Sequence, residues 1–331
     1  MLQYSPNIAP ANNPDPMMTR TIPLVNLHQF ETGDRARRED FVAELGSAFR
    51  DIGFVGVTGH GITKDLIDDF YRAAKQFFAL PTEVKRRYEV PGAAGQRGYT
   101  SFGKEHAKHS QVADLKEFYQ IDRSLADRDT SGFSPNGEVS EAPGFLQLGS
   151  QLYKAFEAAG ASLLRAIALY LGLEETYFEQ HIEGGVSILR AIHYPPITEE
   201  PKSAIRAEQH EDINLITLLV GASAGGLQLQ NTDGEWQEIV PENDEIVINV
   251  GDMLQRLTNN YLKSTTHRVV NPPREQWHEP RLSIPFFLHP KPEMRLDVLP
   301  STVTADRPRA YAPITAGEYL DERLREIGLK K

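Results

Sequence analysis

The chain has 331 residues, 40% hydrophobic and 24% charged, an ordinary balance for a globular fold in water. Its formal net charge of −11 argues against a nucleic-acid surface, where basic patches dominate. With no cysteine, disulfides, zinc–thiolate sites, cysteine-ligated iron–sulfur clusters and thiol catalysis are excluded.

Residues 1–20 scatter Pro6, Pro10, Pro14 and Pro16 among Asn and Ala and read as a flexible tail without a secretory signal. From Thr21 the texture changes. Ile22-Pro23-Leu24-Val25 is strand-like, and Phe41, Leu45 and Phe49 give residues 37–51 helical spacing. Gly53–Val57 reads as a strand ending at the turn Gly59-His60-Gly61. Leu66, Phe70 and Ala74 mark a helix over 64–79, and Pro81 stops it. Residues 90–143 are rich in Gly, Pro, Asp and Ser and read as a loop-dominated insertion able to cover a site.

A long helix is expected over about 145–172, with Leu148, Leu152, Phe156, Leu163 and Leu164 on its apolar side. After residue 185 come short strand-like runs at 186–194, 215–220, 227–230, 236–240, 245–250, 266–270 and 281–288. Turn residues separate them, which suggests a sandwich or small barrel. A last helix is expected from Ala316 to Ile327. No linker divides the chain, so residues 21–331 are read as one domain. It has a mainly helical part (21–185), a strand-rich core (186–290) and a C-terminal segment with a helix (291–331). No stretch approaches the roughly 18 apolar residues of a membrane span, and a cytoplasmic location is expected.

The chemistry concentrates in Gln209-His210-Glu211-Asp212, answered by His267 in Thr266-His267-Arg268-Val269. Extended backbone sends residues i and i+2 to one side, so His210 and Asp212 can hold one ion while Glu211 points away. Two imidazoles and one carboxylate on one face of a metal leave positions open, the facial arrangement of non-haem Fe(II) oxygenases.

These residues sit in a recognisable series. It runs through Gly53-Phe54, His60-Gly61-Ile62, Arg97-Gly98-Tyr99, Tyr194-Pro195-Pro196, His210-Glu211-Asp212, Asn249-Val250-Gly251-Asp252, His267-Arg268-Val269 and Arg281-Leu282-Ser283. In this order they resemble the Fe(II)/2-oxoglutarate-dependent oxygenases of the isopenicillin N synthase-like family. The resemblance implies a mixed α and β fold, a double-stranded β-helix (jelly-roll) core with flanking helices. It implies Fe(II) at His210, Asp212 and His267, and Arg281, Ser283 and Tyr194 on the distal carboxylate of 2-oxoglutarate. A planar guanidinium and a hydroxyl suit that carboxylate, and spacing of two puts both on one strand face.

The implied reaction couples oxidative decarboxylation of 2-oxoglutarate by O2 to hydroxylation or desaturation of a small organic substrate. Asp212 itself argues against halogenation, which needs the carboxylate position open. The alternatives are a cosubstrate-free oxidative cyclase, an ethylene/succinate-forming oxygenase and a non-catalytic jelly-roll metal-binding module. No nucleic-acid, membrane or obligate protein partner is implied.

Substrate candidates are Arg97, Tyr99 and Lys104 in the loop-rich segment, whose cations would suit an acidic or peptide-like molecule, and Phe287, which follows Ser283 by strand alternation. Ordinary roles are expected for four other features. His60 reads as a turn element, His193 as a surface or packed side chain, His106 and His109 as solvated, and Lys85-Arg86-Arg87 as a solvated helix end.

Overall fold

Apolar residues line the strands, and in the larger of two sheets both faces are buried. The computed structural model describes residues 22–93, 95–106, 112–123, 139–221, 224–242 and 244–326; the expected N-terminal tail and His109 lie outside these. The strands are β1 (Leu24–Asn26), β2 (Phe54–Thr58), β3 (Gly98–Thr100), β4 (Glu117–Asp122), β5 (Ile188–Tyr194) and β6 (Ala207–His210). They continue with β7 (Ile216–Val220), β8 (Leu227–Gln230), β9 (Trp236–Glu238), β10 (Ile246–Val250), β11 (His267–Val269) and β12 (Arg281–Leu288).

Eight of them form one sheet in the order β1-β2-β10-β7-β12-β5-β4-β3, and four form another, β6-β11-β8-β9. The β1–β2 pair is parallel and the others are antiparallel. Two such sheets facing one another, flanked by helices, make the expected jelly-roll.

The helices are α1 (Leu27–Thr32), α2 (Arg35–Asp51), α3 (Lys64–Phe78), α4 (Thr82–Lys85), α5 (Phe145–Tyr170), α6 (Glu179–Ile182), α7 (Asp252–Leu257) and α8 (Ala316–Glu326). Local chemistry sets their starts. Asp34 caps α2 by accepting from the Arg37 amide, and Thr315 and Glu318 bond reciprocally at the start of α8.

β12 shows how the faces divide. Leu282, Ile284, Phe286 and Leu288 join the apolar cluster shared with the helices, where Phe286 stacks on Phe156 of α5 at 5.5 Å. Arg281, Ser283, Pro285 and Phe287 face inward between the sheets. A second cluster lies there, with Phe54, Phe118, Ile192 and Tyr194 from the large sheet meeting Ala207, Leu227, Leu229 and Val269 from the small one. Both faces of the large sheet are therefore buried, each large apolar side chain contributing about 1.5–3 kcal/mol.

Two expectations need correction. Residues 90–143 are not simply a loop: β3 and β4 lie within them and complete one edge of the large sheet. The period of β4 was hidden because Glu117 and Gln120, on opposite faces, are both buried polar residues. Lys85 is likewise no solvated helix end. It is 5% exposed, and its Nζ bonds both oxygens of Glu117 at 2.8 and 2.9 Å.

Candidate active site

His210 ends β6, Asp212 follows two residues later, and His267 opens β11 directly opposite His210 in register. Each imidazole is turned by a backbone carbonyl: Nδ1 of His210 donates to Glu208 at 2.7 Å, and Nδ1 of His267 to Thr265 at 3.1 Å. That fixes the tautomer and leaves both Nε2 atoms as lone-pair donors, each 3.8 Å from Asp212 Oδ1. The edge of Phe54 packs against the His267 ring at 5.5 Å.

Asp212 Oδ2 is held separately, by Thr217 Oγ1 at 2.6 Å and Asn249 Nδ2 at 2.8 Å, while Asn214 donates to Thr217 at 2.8 Å. Burial would raise the Asp212 carboxyl, but the two imidazoles and these hydrogen bonds outweigh it and hold it below its ordinary value. Burial and the neighbouring His267 hold His210 down at about 4. The carboxylate and the His210 imidazole are thus ready to meet a metal ion.

Among the described residues this is the one His/Asp/Glu group arranged to hold a metal ion. Three ligands on one side, with imidazoles oriented from behind, fit an open Fe(II) site rather than a closed structural zinc site. Two close backbone approaches support it. A Cβ on Gly53 (φ +80°) would meet the Lys263 carbonyl at 2.4 Å, in the segment leading to His267. One on Gly251 would meet Asn214 Oδ1 at 2.1 Å.

The three ligands line a cavity of about 740 Å³ between the sheets. Arg281, Ser283 and Tyr194 line it too, with Tyr194 opposite Arg281 in the β5–β12 register. Arg281 is 1% exposed. Its Nε donates to the Ala224 carbonyl at 3.0 Å, and its buried Nη1 has no partner. The guanidinium carbons of Arg281 and Arg206 lie 5.0 and 5.9 Å from the Tyr194 ring centroid. Burial and then Arg281 lower Arg206 to about 10. Among the described residues neither arginine pairs with a carboxylate, so this end of the cavity is suited to an anion.

The substrate candidates divide. Phe287 lines the cavity. Arg97 instead bonds Asp122 at 2.6 Å, Lys104 bonds Glu89 at 2.9 Å, and Tyr99 donates to Glu117 behind the sheet; none of the three lines the cavity. Their charges are already matched, which removes the argument for an acidic substrate. His193 is packed, stacked on Phe78 and bonded to Glu117 at 2.7 Å. His60 is a turn element whose ring accepts from the Ile62 amide at 3.2 Å. His106 lines the cavity instead of standing in solvent.

The sequence reading missed Arg190, Lys116, Glu105, Asp114 and His289 on the cavity wall. Counting back by twos from Tyr194 through Ile192 reaches Arg190, and counting on from Phe287 reaches His289, so strand alternation held that signal.

Residues 22–140 match the family model described as non-haem dioxygenase in morphine synthesis N-terminal, and residues 185–290 match the 2OG-Fe(II) oxygenase superfamily. A 2-oxoglutarate-Fe(II) type oxidoreductase of Emericella nidulans is 32% identical, covering 90% of this chain and 88% of the relative. The chain belongs to the 2-oxoglutarate- and Fe(II)-dependent oxygenases. Solved structures agree with the membership. A 2OG-Fe(II) oxygenase family protein from Caulobacter crescentus is 42% identical with a TM-score of 0.80, covering 93% of this chain and all of that one (100%). A full-length Neurospora crassa protein, solved in complex with alpha-KG and thymine, is 30% identical with a TM-score of 0.80, covering 92% of this chain and 96% of that one. The oxygenase is therefore an oxidoreductase whose family uses Fe(II), 2-oxoglutarate and O2. No helix of the described residues is long and apolar enough to cross a membrane.

Proposed function

We propose that His210, Asp212 and His267 hold Fe(II), and that Arg281, Ser283 and Tyr194 receive the distal carboxylate of 2-oxoglutarate, for hydroxylation or desaturation of a small organic substrate in the cytoplasm. The observation that carries this reading is the buried Arg281 with an unpartnered Nη1, on the wall of the cavity that the three ligands share. A guanidinium stripped of water with no counter-ion is costly, and a carboxylate bound in the planar fork relieves that cost.

The bound metal would supply O2 activation and oxidative decarboxylation of 2-oxoglutarate to succinate. The protein's residues do the rest. Glu208 and Thr265 carbonyls accept from the two Nδ1 atoms and so turn both Nε2 atoms toward Asp212. Thr217 and Asn249 occupy Asp212 Oδ2, which leaves Oδ1 to meet an ion. Arg281 fixes one end of the cosubstrate by charge, Ser283 adds a hydroxyl from the same strand face, and the Tyr194 ring packs beside the guanidinium. Phe287 and Pro285 give an apolar wall that excludes water from the reacting region.

The test is succinate formation from 2-oxoglutarate by anaerobically Fe(II)-loaded protein exposed to O2, together with 2-oxoglutarate affinity. His210→Ala is expected to abolish turnover. Arg281→Met is expected to weaken 2-oxoglutarate binding by about 100-fold, since it removes a charge-assisted hydrogen-bond pair. Unchanged affinity in Arg281→Met would refute the assignment.

A further inference from the structure

The β7–β12 register puts Thr217, the residue that holds Asp212, opposite Phe287. Arg281 and His289 therefore lie on opposite sides of the Thr217–Phe287 pair, along one line of inward-facing side chains. A cosubstrate held by Arg281 at one end and by His210, Asp212 and His267 through the metal at the other would take the Arg281 side. The His289 side remains for the molecule that is oxidised. Two strand residues span roughly 7 Å, so a small molecule packed on Phe287 can reach His289.

Four charged groups on the cavity wall, Arg190, Lys116, Glu105 and Asp114, are already paired with one another. Arg190 lies over the Phe118 and Phe287 rings, 4.2 and 5.1 Å from their centroids. Its Nε donates to Gln120 at 2.7 Å and its Nη1 reaches Glu105 at 3.3 Å. Lys116 Nζ is 2.6 Å from Glu105 and 2.7 Å from Asp114. Burial would raise Glu105, but Arg190 and Lys116 prevail and hold it at about 2. Two cations and two carboxylates cancel, and an ion entering here would lose its water with no counter-ion left to meet it.

Beyond Phe287 on this strand, His289 brings an unpartnered polar atom to the wall. His289 is 5% exposed and lines the cavity, and its buried Nδ1 has no hydrogen-bond partner. Burial holds this imidazole down at about 4, so at neutral pH it can offer Nδ1 as a donor or an acceptor but not as a charge.

We propose that His289 Nδ1 recognises an uncharged polar group, of the amide, imide or hydroxyl type, on the substrate that is oxidised. The inference rests on the oxygenase reading, and 2-oxoglutarate affinity, measured alongside, tells a failure of one from a failure of the other.

The experiment uses full-length protein loaded anaerobically with Fe(II) and 2-oxoglutarate, so that nothing turns over. Equilibrium dialysis then measures binding of thymine against orotate and of benzamide against benzoate, pairs matched in ring and differing in charge. At least one neutral probe is expected to bind about tenfold or more tightly than its carboxylate partner. His289→Phe is expected to weaken that binding about tenfold, the effect of one buried hydrogen bond. His289→Asn, which keeps a polar atom near Nδ1, is expected to restore most of it, with 2-oxoglutarate affinity equal in all three proteins. The proposal is overturned if a carboxylate probe binds as tightly as its neutral partner. It is equally overturned if His289→Phe leaves neutral binding unmoved, or if neither neutral probe binds at millimolar concentration. Failure of wild-type protein to bind 2-oxoglutarate overturns the functional reading instead.

Discussion

Replacing Thr217 by valine removes one hydroxyl, keeps the β-branched shape, and so isolates the hydrogen bond behind Asp212, the proposed metal ligand. Thr217 is 3% exposed, and its Oγ1 donates to Asp212 Oδ2 at 2.6 Å while accepting from Asn214 at 2.8 Å. A hydrogen bond to a charged group contributes about 1.5–3 kcal/mol. Asn249 still donates to the same oxygen at 2.8 Å, which places the loss at the lower end of that range. Converted to metal affinity, about 1.5–2 kcal/mol is roughly a 10- to 30-fold weakening, within the range for groups that orient metal ligands. Anaerobic Fe(II) titration measures it directly. The difference in melting temperature with and without metal gives a second reading, because tenfold weaker binding removes about 1.4 kcal/mol of metal-linked stabilisation at saturation. Thr217→Ser keeps the hydroxyl and is expected to bind like wild type. Metal affinity of Thr217→Val within twofold of wild type, in a protein with an unchanged fold, would refute the idea that this bond sets the ligand.

Gly251→Ala drives a Cβ to within 2.1 Å of Asn214 Oδ1 and 2.3 Å of its backbone carbonyl. It is expected to weaken metal binding at least as much as Thr217→Val, by disturbing the same Asn214–Thr217–Asp212 chain; the same titration checks it. Lys85→Met leaves Glu117 buried without its cation and is expected to cost about 3–5 kcal/mol in denaturant unfolding, with a smaller loss for the double variant Lys85→Met/Glu117→Gln. His289 gives a pH signature. Its folded pKa, at about 4, lies below the unfolded value, so its contribution to stability is present above about pH 6.5 and is lost as pH falls toward 4. The stability of His289→Phe relative to wild type is therefore expected to rise by up to about 1.4 kcal/mol per pH unit between pH 6.5 and 4, measured by urea unfolding; a difference independent of pH would count against a buried neutral imidazole.

Local chemistry made much of this protein legible. Period-two alternation marked β8 and β12 to the residue, because Leu227–Gln230 and Arg281–Leu288 each have faces of distinct polarity or function. Helical spacing marked α2, α3 and α5, whose apolar stripes face one core. The triad was legible because its chemistry needs particular residue types, two of them at fixed spacing. Strand β4 was not, since its buried polar groups lie on both faces and are satisfied only by partners distant in sequence: Lys85 and His193 on one face, Arg190 on the other.

By itself, then, the sequence determined the classes of element, the metal-ligating residue types and the resemblance that led to the family. Tertiary structure decided which charges are spent. Arg97 and Lys104 look like free cations in the chain, but folding sets Asp122 and Glu89 beside them. His289 looks ordinary and Arg281 is marked only by the resemblance, yet folding buries each with an unpartnered nitrogen on the wall of one cavity. The physical reason is that hydrogen-bond satisfaction and desolvation are properties of a neighbourhood in space, and strand pairing between residues far apart in the chain builds that neighbourhood.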